Sequence, residues 1–192
     1  MKHEEASLQT RKALSAALKA QMEHKPLRKI TVNDLIGMCD LNRKTFYYHF
    51  TDIYDLLKWT LEQEAVEVVK QFDLLTNYHD ALLFVMNYVE ENAHILSCAY
   101  DSMGRDELKR FFCSDFYELA DGMIDRCCAN CGVTIPPDYH RFLRDFYTEA
   151  FADILVNWFR ESHTPEEKEN TIAYLSQFVM TSLPAVLRQN GK

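Results

Sequence analysis

The nine residues from Asn42 to Phe50, NRKTFYYHF, bring together a helix-capping Asn, two cations, a Thr, four aromatics and a His. At the start of a helix, Arg43 and Lys44 can pair with guanine O6 and N7, and the Thr45 methyl can contact thymine. The hydroxyls of Tyr47 and Tyr48 and the imidazole of His49 can donate to phosphate oxygens. Helices that begin at the caps Thr31 and Thr51 or Asp52 can each aim free N–H groups at a phosphate. Phe46 and Phe50 are four apart and face the same way, so they can pin the helix to a core. The chemistry on offer is DNA recognition. By composition alone, an aromatic helix with two cations is more often a core helix with a wet edge. Its spacing and the charge around it favour DNA.

That charge is unevenly spread. The formal net charge is −8, which argues against nucleic acid as a whole-chain property. Residues 1–50 nevertheless hold nine Lys/Arg against five Asp/Glu, a net of +4, whereas residues 51–192 hold twelve against twenty-four, a net of −12. A basic head sits on an acidic body that phosphates would repel, so any DNA contact is confined to the head.

Other chemistries find little support. The six cysteines include Cys128-x-x-Cys131 within CCANC, but no second pair stands at zinc-ligand spacing. A redox motif would also need a βαβ setting. A di-iron bundle needs two Glu-x-x-His helices, and only Glu91 to His94 has that spacing. No phosphate loop, nucleophile elbow or Gly-rich turn occurs. The expectation is a protein that is not an enzyme and has no metal or other cofactor. No apolar run approaches a membrane span, and the charged MKHEEASLQT start has no signal-peptide core, so a cytoplasmic protein without membrane contact is expected.

The elements that must position these residues read as all-α. Gly and Pro number only five each, so turns are few and elements long. The periodicity predicts about nine helices: Ser7–His24, a short one after Thr31 to Met38, one after Asn42 to Phe50, and one from the Thr51/Asp52 cap to Gln71. Further helices follow at Tyr78–Glu91, Ala93–Ser102, Asp106–Cys131, Asp138–Glu161 and Glu166–Leu187, with Pro184 expected to kink or fray the last. Two short helices joined by the three-residue turn CDL make a helix-turn-helix. The division expected is 1–51 for DNA binding and 52–192 for a helical bundle.

The segment ITVNDLIGMCDLNRKTFYYHFTDIYDLL resembles the DNA-binding domain of the TetR family of bacterial transcriptional regulators. Thr31, Val32, Leu35, Thr45, Phe46, Tyr47, His49, Phe50 and Leu56 match its pattern in order. It is most similar to the branch that includes the dihydroxyacetone kinase operon regulator. Two positions depart from the family. Cys39-Asp40 replaces the Ala-Gly of the turn, which asks Asp40 to take a positive φ. Ile53 replaces a Lys that contacts phosphate, a role left to Thr51 or Tyr54.

The resemblance implies a homodimer on a palindromic operator, one recognition helix per subunit. It also implies control by a small-molecule effector or coactivator protein bound to the body. The residues independently suggest association. The stripe from Tyr139 to Phe159 is apolar over most of its girth, as in a helix buried on two sides. Phe151, Leu155, Trp158 and Phe159, with Leu175, Phe178 and Val179 on the last helix, are the expected interface. Tyr88, His94, Tyr100, Phe112, Phe116 and Tyr147 are candidates to line an effector pocket. The alternative function is a helical protein-interaction adaptor that has lost DNA binding. Burial or ion pairing of Arg43, Lys44 and Tyr47 would favour it.

Overall fold

In the computed structural model, residues 2–72 and 77–191 are described, and among them the only regular elements are helices. The head comprises α1 (Lys2–Met22), a 3₁₀ turn (Leu27–Lys29), α2 (Val32–Cys39) and α3 (Arg43–His49). The body comprises α4 (Ile53–Leu61), a π-helical turn (Glu62–Val66), α5 (Glu67–Val69), α6 (Tyr78–Glu91), α7 (Ala93–Met103), α8 (Arg105–Cys131), α9 (Pro137–Trp158) and α10 (Pro165–Asn190).

Local side chains set the short helices of the head. The Thr31 hydroxyl accepts from Asp34 N, while Asp34 Oδ2 accepts from Thr31 N at 2.7 Å, a reciprocal capping box. Asn42 Oδ1 accepts from Thr45 N at 2.9 Å, and Asp52 Oδ1 from Asp55 N at 2.8 Å. Asp40 ends α2 at φ 51 and ψ 44, the left-handed conformation expected of it. Its N–H bonds Ile36 O, and Leu41 N bonds the same carbonyl at 3.0 Å.

Two sequence expectations need correction. The helix after Asp52 ends at Val69 and is broken by the π turn, which widens the coil between α4 and α5. The last helix passes through Pro184 to Asn190 instead of fraying there. Leu183 and Leu187 flank the ring and are buried, and this packing holds the turn that the missing N–H would loosen.

One apolar core begins in the head at Leu14, Leu18, Leu35 and Phe46 and continues through Leu56 and Leu57 into Ile95, Leu96 and Val156. The head is therefore packed onto the body, not strung from it. Polar ties reinforce the join. Thr60 donates to Ser15 Oγ at 3.0 Å in the interior, and Leu27 N donates to Cys98 Sγ at 3.0 Å. A second core joins Met123, Ile124, Leu143, Tyr147, Val179 and Leu183 in the far half of the body.

Candidate nucleic-acid interface

On α3 the sequence alternates between core and water. Phe46 is fully buried and Phe50 nearly so, with ring centroids 6.0 Å apart. Arg43 and Lys44 are exposed, Tyr47 is 55% exposed and Tyr48 71%. Thr45 and His49 are half-buried, and the His49 ring lies edge-on to Tyr48 at 4.9 Å. Large exposed aromatics beside two cations form a surface suited to phosphate and base edges.

Not every expected contact residue is equally available. Thr31 and Asn42 have their polar groups engaged in caps. Thr45 donates to Asn42 Oδ1 at 3.2 Å, which commits its proton. Arg43 Nε donates to Asn33 Oδ1 at 3.0 Å, so its guanidinium is held from behind by α2. Asn33 was not among the expected residues; its only sequence signal is its place in the first turn of α2. Ile53, where the family carries Lys, is half-buried and packs against the core. Tyr54 beside it is 40% exposed, whereas the Thr51 hydroxyl donates to Asp55 Oδ2.

The connector before α2 is fixed electrostatically. Lys25 Nζ lies 2.8 Å from Asp34 Oδ2. That bond, with those from Thr31, holds the Asp34 carboxyl at about 2, below the usual carboxylate range. Among the described residues, no cluster of three or more His, Cys, Asp or Glu could hold a metal ion.

Residues 76–181, more than half of the chain, match the family model described as "Transcriptional regulator C-terminal region", TetR_C_8. The chain belongs to the TetR family of transcriptional regulators. A curated relative, "HTH-type dhaKLM operon transcriptional activator DhaS" of Lactococcus lactis subsp. lactis (strain IL1403), is 28% identical over 86 residues. The match spans 45% of this chain and 46% of that relative, under half the length of each. The solved structure of "Dihydroxyacetone kinase operon activator DhaS" superposes with a TM-score of 0.67 at 19% identity, over 95% of this chain and 98% of that one. It shows that the fold is shared.

The TetR-family body carries two features beyond this fold. The first is an exposed aromatic face on α9 and α10. Phe142 (59% exposed), Phe146, Tyr174 and Phe178 (54%) stand in solvent, with Phe142 stacked on Phe146 at 6.2 Å. The expected interface residues divide around it. Phe178 is exposed, and Phe151 and Leu175 are half-buried. Leu155, Trp158, Phe159 and Val179 are buried in the chain's own cores, where α9 and α10 pack on the rest of the body. Those four side chains have no surface left for a partner. Phe142, Phe146 and Tyr174 have it instead, on the outer half of the same helices.

The second feature is a cavity between α5, α6, α8, α9 and α10, with about 680 Å³ of empty space including solvent at its mouth. Phe116, Phe151 and Leu175 line it. A smaller cavity beside it shares Val69, Val85, Phe116 and Leu155 and reaches Tyr88 and Phe112. Of the pocket candidates, Tyr88, Phe112 and Phe116 line these cavities; His94 is exposed, and Tyr100 and Tyr147 pack elsewhere. The Tyr88 hydroxyl donates to Glu64 Oε2 at 3.0 Å, and Glu64 holds Lys19 of α1 at 2.9 Å. Among the described residues, no helix is long and apolar enough to cross a membrane.

Proposed function

We propose that the chain is one subunit of a homodimeric helix-turn-helix regulator that binds a palindromic operator through α3. A ligand or partner protein on its body controls it. The observation that carries this reading is the outward row of Arg43, Lys44, Tyr47 and Tyr48 on a helix whose Phe46 is fully buried. The net +4 of the first fifty residues supports the same face, and the exposure of those residues removes the support that burial would have lent to the adaptor alternative.

Two copies put two α3 helices in successive major grooves about 34–36 Å apart. The exposed Phe142, Phe146, Tyr174 and Phe178, together with Phe151 and Leu175, are the surface proposed for the second copy. Leu155, Trp158, Phe159 and Val179 stay in the chain's own cores. Arg43, Lys44 and Thr45 read bases, while Tyr47, Tyr48, His49 and the capped helix starts at Thr31 and Asn42 meet the backbone. Control passes from the body to the head through Tyr88, Glu64 and Lys19 and through the π turn that holds Glu64. A π turn in such a place is a frequent mark of a functional segment. An effector shifts the spacing of the heads only by its difference in affinity for the two arrangements.

The relative's name makes it an activator of a kinase operon, so activation of a dihydroxyacetone kinase operon is the first direction to test. The decisive experiment selects binding sites from random duplex DNA with the full chain and measures stoichiometry on the winning site. The expected result is an inverted repeat bound by two subunits. Recovery of no enriched sequence, or of single half-sites bound by monomers, refutes the reading.

A further inference from the structure

The 3₁₀ turn at Leu27–Lys29 carries the chain from α1 into α2, and it cannot cap itself. Its N-cap is Pro26, which makes no side-chain cap bond, so the first N–H groups of the turn need partners from elsewhere. Both partners come from α7. Leu27 N donates to Cys98 Sγ at 3.0 Å, and one helical turn along, Arg28 N donates to Ser102 Oγ at 3.3 Å. The Cys98 thiol in turn donates to Lys25 O at 3.7 Å, and the Ser102 hydroxyl to Cys98 O at 2.8 Å, so each group is both acceptor and donor. Burial pushes the Cys98 thiol pKa up, which keeps that proton in place.

Two fixed points on a connector define a direction, where one would leave a pivot. No slack follows, because Ile30 ends the turn and Thr31 caps α2. Side chains carry the same tie to the reading helix. Lys25 Nζ holds Asp34 of the α2 capping box at 2.8 Å, and Asn33, next to Asp34, holds Arg43 Nε at 3.0 Å. α7 is also tied to the end of α9. Tyr100 lies edge-on to Phe159 at 6.1 Å, and the Arg160 guanidinium sits over the Tyr100 ring at 4.4 Å. We propose that Cys98 and Ser102 are positioning residues for operator recognition: by clasping the connector at two points they fix the tilt of α3 on the body, and so the half-site spacing that a dimer accepts. The inference rests on the reading of the chain as a dimeric operator-binding protein, and it names what sets the spacing.

The test measures binding of the full chain to the selected operator and to versions with one base pair added to or removed from the spacer. One base pair moves a half-site by about 3.4 Å and turns it by roughly a tenth of a turn. A clasped head meets that change only by giving up hydrogen bonds, each worth roughly two- to tenfold in affinity, and every subunit contributes both N–H bonds. Wild type should therefore lose roughly tenfold or more on either altered spacer. The double variant Cys98→Ala with Ser102→Ala should lose less than about threefold, while its preference for bases within each half-site stays that of wild type. Cys98→Ser with Ser102→Thr keeps an acceptor at both points and should restore the wild-type spacer penalty, which a role in packing alone would not do. Ser102→Ala by itself leaves the Cys98 bonds and should show a reduced penalty; it carries the test where the double alanine variant does not fold. The inference is overturned by an equal spacer penalty in wild type and the alanine variants, by no penalty in wild type, or by a serine–threonine variant that behaves as alanine. Each of those results leaves operator binding intact. Absence of operator binding by wild type is instead the failure of the regulator reading, and this inference falls with it.

Discussion

Arg43 offers the sharpest test of the head, because α2 holds its guanidinium in place through Asn33 Oδ1 at 3.0 Å from Nε. That bond leaves the terminal nitrogens for a base edge. A bidentate contact to guanine discriminates by about 1–3 kcal/mol. Two subunits on a palindrome double this to about 2–6 kcal/mol, a loss of roughly 30-fold to more than 10,000-fold for Arg43→Ala. Asn33→Ala keeps the cation but frees it. Re-ordering a long side chain on binding costs about 0.5–1.5 kcal/mol, so the dimer loses about 1–3 kcal/mol. Lys44→Ala removes a base contact, so it costs about 1–3 kcal/mol per subunit and leaves the slope of log affinity against log salt nearly unchanged, because no phosphate loses its cation. Fluorescence anisotropy on the selected site, on variants with single base changes and between about 50 and 200 mM salt, separates the three. Arg43→Ala should lose preference at one base position per half-site, whereas Tyr47→Phe should weaken all sequences alike. Wild-type affinity for Arg43→Ala, or a larger loss for Asn33→Ala than for Arg43→Ala, refutes the assignment.

Three other outcomes follow from the same geometry. Phe142→Glu combined with Phe178→Glu changes two exposed residues, so sedimentation velocity should report folded monomers, and persistence of a dimer would place the interface elsewhere. Asp34 has a depressed pKa of about 2, so its contribution to stability is present above about pH 4 and is lost as the pH falls through about 2. The stability gap between wild type and Asp34→Asn should therefore be flat above about pH 4 and shrink below it, and a gap that widens on acidification would contradict the Lys25 and Thr31 contacts. Phe46→Ala removes a fully buried ring and should cost about 3–5 kcal/mol in denaturant melts, and a loss under about 1 kcal/mol would mean that Phe46 does not anchor α3.

How far the sequence could be read depended on how local each cause was. The caps at Thr31, Asn42 and Asp52 act over three residues, and the starts of α2, α3 and α4 were legible from them, whereas α1, expected from Ser7, begins at Lys2. Asp40 was legible for the same reason: a tight turn without Gly leaves few residue types able to take φ 51. The π turn at Glu62–Val66 was not, because no Pro or Gly marks it and EQEAV reads as ordinary helix. The stripe on α9 announced two buried faces but not which was which. Phe151 and Leu155 are one turn apart, yet the first is half-buried and the second is in the core. Only the positions of α6 and α8 settle that, and periodicity carries no record of them. The cavity lies further still from any pattern. It exists where Val69, Phe116 and Leu155 fail to fill the space between helices, and a shortfall of volume has no motif. The Tyr78 hydroxyl adds a polar group without a partner to that shortfall.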